Sequence, residues 1–317
     1  MTGEGKFRRR SFVSRYKMSQ AELDKYYELY RKYRYEKGKG IGAVTWRRLL
    51  HPILLLGVRL DRIFHRERLE VIYDRRIKTN RPKIYACTHI GGHDIERSFE
   101  GIKEHAFLFV ADLRELYRSL DGLALFLNGM VCLESRSVTD RKIAKEGAIE
   151  LLHRGGNLLI YPEGAFNLSE NLLVNPLYKG TASIALKTGA DIIPVAIEQY
   201  NKTFYVNIGK NIDSRKWEQE QIIELTEFIR QKMANLKWEI IERNGLFQRD
   251  EEIDELKKNW IDSIFSRADY SYTAQDVYET QCYTKEQIEQ KEAWTFVDKL
   301  RPSKYNAFLF RVLLFKK

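Results

Sequence analysis

From about residue 69 the chain alternates short apolar runs with helix-patterned stretches, and that alternation most narrows the folds open to it. Leu69–Tyr73, Ile84–Cys87, Phe107–Ala111, Met130–Leu133, Leu158–Tyr161, Ile192–Ile197 and Phe204–Ile208 are short, apolar and bounded by polar or turn residues, and predict strands. Between them, Thr139 to Arg154 sets Ile143, Ala144, Gly147, Ala148, Leu151 and Leu152 on one helical face, and Gly155-Gly156 stops it. Lys179 to Lys187 predicts a second, shorter helix. The expectation is an α/β core, a largely buried sheet flanked by helices, with strand order left open.

Both flanks read as helical. Ser19-Gln-Ala-Glu22 is a capping box, followed by Leu23, Tyr26, Tyr27, Tyr30 and Tyr33 at helical spacing, a stripe suited to internal packing or to lipid. Trp46, Leu49, Leu50, Ile53, Leu54 and Val58 mark another helix, with Pro52 as a kink or boundary. After residue 214, Ile222, Leu225, Phe228, Ile229, Met233, Leu236 and Ile240 recur at helical spacing, and residues 251–267 predict a further helix. Residues 268–300 are Tyr- and Gln-rich and suggest no role. The expected segments are a basic N-terminal extension (1–40), an amphipathic membrane-facing stretch (41–68), the α/β core (69–212) and a C-terminal helical extension with a basic amphipathic tail (213–317).

Charge separates these segments. Residues 1–80 hold 21 Lys/Arg against 9 Asp/Glu, and residues 301–317 hold five basic residues and no acidic one. With +10 overall, the middle of the chain is acidic. Basic ends suit nucleic acid or anionic lipid alike. Here they are interleaved with apolar residues, as in Trp46-Arg-Arg-Leu-Leu50 and Phe310-Arg-Val-Leu-Leu-Phe-Lys-Lys317, which favours an anionic membrane surface. No nucleic-acid fold signature accompanies them, so no nucleic-acid partner is expected, although a nucleic-acid-binding protein remains the rival from another class. Ile53–Val58 falls far short of the ~20 apolar residues a spanning helix needs. The expected location is peripheral, on the cytoplasmic face of a membrane, with no transmembrane helix. The polar start shows no secretory signal, and Cys87, Cys132 and Cys282 are scattered, which suggests reduced thiols.

Chemistry concentrates where predicted strands end. His89-Ile-Gly-Gly-His-Asp94 places an aspartate five residues after a histidine, and Gly91 and Gly92 let the chain fold back so that Asp94 reaches one ring nitrogen. An imidazole held in one tautomer by a carboxylate is a general base for a hydroxyl. No nucleophilic serine or cysteine motif lies nearby, which implies direct attack by a substrate hydroxyl. His89 and His93 are four apart, a spacing that ligates metal on a helix, but the two glycines weaken any helix and no third ligand is evident. No metal is expected.

Three further blocks follow in order: Asn128-Gly-Met-Val-Cys-Leu-Glu-Ser-Arg136, Leu158-Leu-Ile-Tyr-Pro-Glu-Gly164, and Ile192-Ile-Pro-Val-Ala-Ile197, preceded by Lys179-Gly180. Together the four blocks resemble the phospholipid/glycerol acyltransferase family, which includes the lysophosphatidate acyltransferases. The resemblance spans roughly residues 70 to 210. It implies a glycerolipid-acyltransferase-like core with His89 as base and Asp94 as its orienting partner. It implies transfer of a fatty acyl group from acyl-CoA or acyl carrier protein, as co-substrate, to a lysophospholipid-like acceptor such as 1-acylglycerol-3-phosphate in phospholipid biosynthesis. No tightly bound cofactor is implied. Arg136 would bind the acceptor's anionic headgroup, Glu163 and Gly164 would bind the acceptor or steady the site, and Pro194 would shape a strand beside the acyl groove. Two departures stand out: Ser135 separates Glu134 from Arg136, and Ala165 and Phe166 replace the family's usual threonine and arginine. Phenylalanine cannot hold a phosphate, which leaves Lys179 and Arg136 to supply positive charge. The loop Asn167-Leu-Ser-Glu-Asn171 suits hydroxyl-rich acceptors. Acylation of a glycolipid, amino-lipid or polyol is therefore the alternative, and an inactive lipid-binding family member a further one.

Overall fold

A computed structural model describes residues 7–37, 43–110, 120–133, 137–169, 172–245, 253–267 and 272–280, all within one compact unit, Met1–Thr280. All seven expected strands form. They are β1 (Arg68–Asp74), β2 (Lys83–Cys87), β3 (Phe107–Val110), β4 (Met130–Cys132), β5 (Leu158–Ile160), β6 (Asp191–Tyr200) and β7 (Thr203–Ile208), with a short β8 (Ile212–Asp213) added. They make a single sheet in the order β1-β7-β6-β2-β5-β3-β4, and β8 pairs with β6. Strands β2 to β6 run parallel, β7 turns back antiparallel to β6, and β1 is parallel to β7. Asn201, at φ 54°, makes the tight β6–β7 turn, in a backbone region that asparagine tolerates better than most residues.

The sheet is covered on both faces, as a mostly parallel sheet requires. Strand β2 shows how sequence divides between them: Ile84 and Ala86 join one core cluster, Tyr85 and Cys87 the other, following the two-residue period of a strand. Over the first face lie α6 (Val138–His153), α7 (Gly180–Thr188) and α8 (Ile222–Asn244), which contributes Leu225, Ile229 and Met233. Over the second lie α3 (Val44–Phe64), through Leu55, and α4 (Asp94–Ile102), through Phe99 and Ile102. Because α8 fills the core, the helical stretch after residue 214 packs on the same sheet as the strands before it.

The remaining helices are α1 (Phe12–Tyr16), α2 (Gln20–Glu36), α5 (Leu120–Asn128), α9 (Ile253–Phe265) and α10 (Ala274–Thr280). The Ser19–Glu22 capping box starts α2 as expected, and the stripe is buried at Leu23 and Tyr26, with Phe7 lying 5.1–5.6 Å from the rings of Tyr26, Tyr30 and the exposed Tyr33. Pro52 does not end its helix. It sits on an exposed face of α3, so only one backbone hydrogen bond is lost while Val44, Arg47, His51 and Leu55 stay buried on the other side.

That other side of α3 decides what the helix is for. Trp46, Leu49, Ile53, Leu56, Leu60, Ile63 and Phe64 lie exposed at three- and four-residue spacing, Leu49 at 76% and Phe64 at 84%. Leu123 and Phe126 of the neighbouring α5 are exposed as well. Among the described residues no helix is long and apolar enough to cross a membrane.

Candidate active site

The in-register pairing of β2 with β5 builds the site. Ile84 faces Leu158 and Ala86 faces Ile160, so the segments leaving these adjacent parallel strands emerge side by side at their carboxyl ends. This is where open α/β sheets place ligands. One segment carries His89, the other Glu163.

Gly91 (φ 83°) and Gly92 (φ 64°) fold the first segment back onto the start of α4. His89 Nδ1 lies 2.7 Å from Asp94 Oδ2, and the same oxygen accepts the amides of Ile90 (2.7 Å) and Gly91 (2.9 Å). The carboxylate is 1% exposed and sits in the first turn of α4, where the helix dipole favours negative charge. Nδ1 therefore carries the proton and donates it to Asp94. Nε2 takes no hydrogen bond from any described residue, and the ring keeps 18% exposure. The imidazole is held between Tyr161 (ring centroids 4.3 Å apart) and Phe166 (4.4 Å).

The second segment locks onto the first. Glu163 is 1% exposed, and its two oxygens accept the backbone amides of His89 (3.3 Å) and Asn175 (2.8 Å). Burial holds its carboxyl above the ordinary carboxylate range, with Lys237 and these amides pulling the other way. Committed to two amides, Glu163 positions the turn and presents no oxygen to solvent. Gly164 takes φ 78°, and a Cβ there would stand 2.4 Å from Tyr178 Cε2, so any other residue would strain the backbone and displace that ring. The adjoining Lys179 is exposed at the N-cap of α7. Arg136 lies outside the described residues, as do Glu134 and Ser135. Asn167 spends its side chain within its own loop, donating to Leu172 O and accepting from Ser169 N. Cys87 is buried beside Ser98, and burial pushes its thiol far up, which makes it inert as a nucleophile.

The C-terminal helices supply contacts that nothing in the sequence announces. Ala165 and Phe166 form a small core with Ile264 of α9 and Val277 of α10, joined by Trp260, Tyr272 and Tyr278. Trp260 Nε1 donates to Asn167 O (3.3 Å), and the Tyr178 hydroxyl donates to Thr280 O (2.7 Å). Arg267, at the end of α9, donates to Ile90 O at 2.6 Å. Every loop of the site is thus tied to α9–α10. The helix expected over 251–267 does not say what it packs on, and Arg267 meets Ile90 across 177 residues.

Parallel sheet, His–Asp turn and Pro-Glu-Gly exit fall within residues 68–198, which match the family described as Acyltransferase. Within it the likeness is to the lysophosphatidate acyltransferases. The chain is 32% identical over 87 residues to the 1-acyl-sn-glycerol-3-phosphate acyltransferase of Borreliella burgdorferi, a match covering 27% of this chain and 34% of that protein. It therefore spans about a third of the length of that relative. The crystal structure of the 1-acyl-sn-glycerophosphate acyltransferase of Thermotoga maritima aligns with a TM-score of 0.50 and 19% identity, over 71% of this chain and 91% of that one. At that identity the second likeness is one of fold.

Proposed function

We propose that this protein transfers an acyl group from a thioester donor, acyl-CoA or acyl carrier protein, to a hydroxyl of a lysophospholipid-like acceptor at a membrane surface. The observation that carries the reading is His89 Nδ1 bonded to a buried, amide-anchored Asp94, which leaves Nε2 as base. Nε2 takes the acceptor's hydroxyl proton as the oxygen attacks the thioester carbonyl. Collapse of the adduct breaks the carbon–sulfur bond, and the departing thiolate receives the proton from the imidazolium. Asp94 stabilises that imidazolium. No step uses a metal or a bound cofactor.

The names of the relatives favour 1-acylglycerol-3-phosphate as acceptor, with Lys179 and Arg136 as candidate headgroup cations and Arg267 as a third at the His89 turn. One observation favours a different acceptor. Phe166 is buried against His89 and α9–α10, so that wall of the site is aromatic where the family usually has a cation. An acceptor without a phosphomonoester is the second reading. The exposed apolar face of α3, flanked by exposed Arg48, Arg59 and Arg66, suits insertion into an anionic membrane surface.

Purified His89→Ala protein decides the chemistry. Turnover of acyl-CoA with lysophosphatidate should fall roughly 10²- to 10⁴-fold. Asp94→Asn should fall comparably, because Nδ1 loses its acceptor. Near wild-type turnover in His89→Ala removes the mechanism. Faster acylation of an uncharged monoacyl acceptor than of lysophosphatidate would select the second reading.

A further inference from the structure

We propose that Asp61, His65 and His93 hold a zinc-like divalent cation where the end of α3 meets the start of α4, a site separate from the reaction. Each residue offers one ligand atom, and the three atoms lie within 4.8 Å of one another. Asp61 and His65 stand one turn apart at the end of α3, and His93 is the N-cap of α4. The expectation of no metal rested on His89 and His93 having no third ligand. The fold pairs His93 with α3 instead, and His89 is not in the group.

The surroundings resemble the outer shell of a metal site. His93 Nδ1 lies 2.7 Å from Glu67 Oε1, which leaves Nε2 as its ligand atom, and Glu67 is in turn fixed by Arg97 Nε at 2.8 Å. Metal-binding histidines are regularly oriented by a carboxylate on the other nitrogen. Arg97 also holds Asp61 Oδ2 (2.9 Å), so Oδ1 is the oxygen left to an ion. That Oδ1 is 3.1 Å from His65 Nδ1, and the His65 and His93 rings are 4.7 Å apart. Two carboxylates, Asp61 and Glu67, share Arg97, while Arg59 and Arg62 turn to Glu100 and Lys202 bonds the backbone oxygen of His65. The ligand side chains are 30–43% exposed, open to an ion from solvent. Two nitrogens and one oxygen, with a fourth position for water, suit zinc and its first-row neighbours and not magnesium or calcium. The ion would clamp α3 to the residue before Asp94.

The test is zinc binding by full-length protein stripped with chelator, followed by calorimetry and thermal denaturation, with cobalt as an optical probe. One equivalent should bind and raise the melting temperature, and cobalt should give the visible bands of a tetrahedral site. His65→Ala, at an exposed position, and Asp61→Asn, at a half-buried one that keeps an oxygen for Arg97, should lose that equivalent and its thermal shift while keeping the circular dichroism of the parent. Glu67→Gln should weaken binding by about 10- to 100-fold. No zinc-dependent shift in the parent protein overturns the proposal, as does binding that survives both His65→Ala and Asp61→Asn. Acyl transfer is not the readout, so either result leaves the proposed reaction standing.

Discussion

Gly164 is a residue of the site whose replacement the geometry opposes twice over. Its φ of 78° and the Tyr178 ring 2.4 Å from a would-be Cβ predict two separable costs for Gly164→Ala. Backbone strain contributes about 1–2 kcal/mol, and displacement of Tyr178 adds to it. Tyr178→Ala in the same chain should remove the second cost and leave the first, which urea denaturation of the single and double variants would measure. Equal losses in both would mean that the ring yields freely. Phe166 makes a different case. Its ring touches both His89 and the α9–α10 cluster, so Phe166→Arg would restore the family's cation by forcing a guanidinium into an apolar pocket. We expect destabilisation of several kcal/mol and no gain in lysophosphatidate turnover. A stable variant with faster lysophosphatidate acylation would show that the pocket opens to the acceptor.

At the scale of elements, α3 presents seven large apolar side chains to solvent. Each would gain roughly 1.5–3 kcal/mol if fully buried, so even partial insertion would suffice for the membrane attachment proposed above. Changing Leu49, Ile53 and Leu60 together to serine should cut co-sedimentation with anionic vesicles more than about tenfold, since the three partly buried groups would each contribute near or below the lower end of that range. The melting temperature should barely move, because these side chains touch little of the core. Undiminished vesicle binding would shift attachment to other segments. The basic tail at Phe310–Lys317 lies outside the described residues. The strands were legible because each is a short apolar run with a strong period, and the dyad because all its parts lie within six residues. The place of α8 was not, since its apolar stripe shows that it packs but not on what. Neither was the covering of the site by α9–α10: the pattern over 251–267 predicts a helix without a partner, and the segment holding α10 has weak periodicity. Asp61 and His65 drew no notice in the sequence, because what gives them meaning is His93, brought to them by the crossing of α3 and α4.

Taken whole, the molecule should lose stability in mild acid for a reason remote from the site. Burial pushes His105 down to about 4 and lowers His51, against the opposing effect of their bonds to Asn128. In the unfolded chain both titrate near 6.5. Their contribution is therefore fully present above about 6.5. As pH falls from there towards 4 the unfolded state binds more protons than the folded one, and stability declines. Urea midpoints at pH 7 and pH 5 should differ, and His105→Gln should shrink the difference; an unchanged difference would clear His105 of the effect. The order of the sheet has a consequence in time as well. Strands β2 and β3 are made early but do not touch, because β5, some fifty residues later in the chain, lies between them. During synthesis His89 and Asp94 leave the ribosome well before the strand that carries Glu163, and longer still before α9 and α10. The dyad is local and can form at once, whereas the backbone that aims it must wait for a strand to enter the middle of a half-made sheet. Such distant pairing is slow. Nascent chains halted before residue 158 would carry the chemistry without the means to direct it, their unpaired strand edges exposed to whatever else is folding nearby.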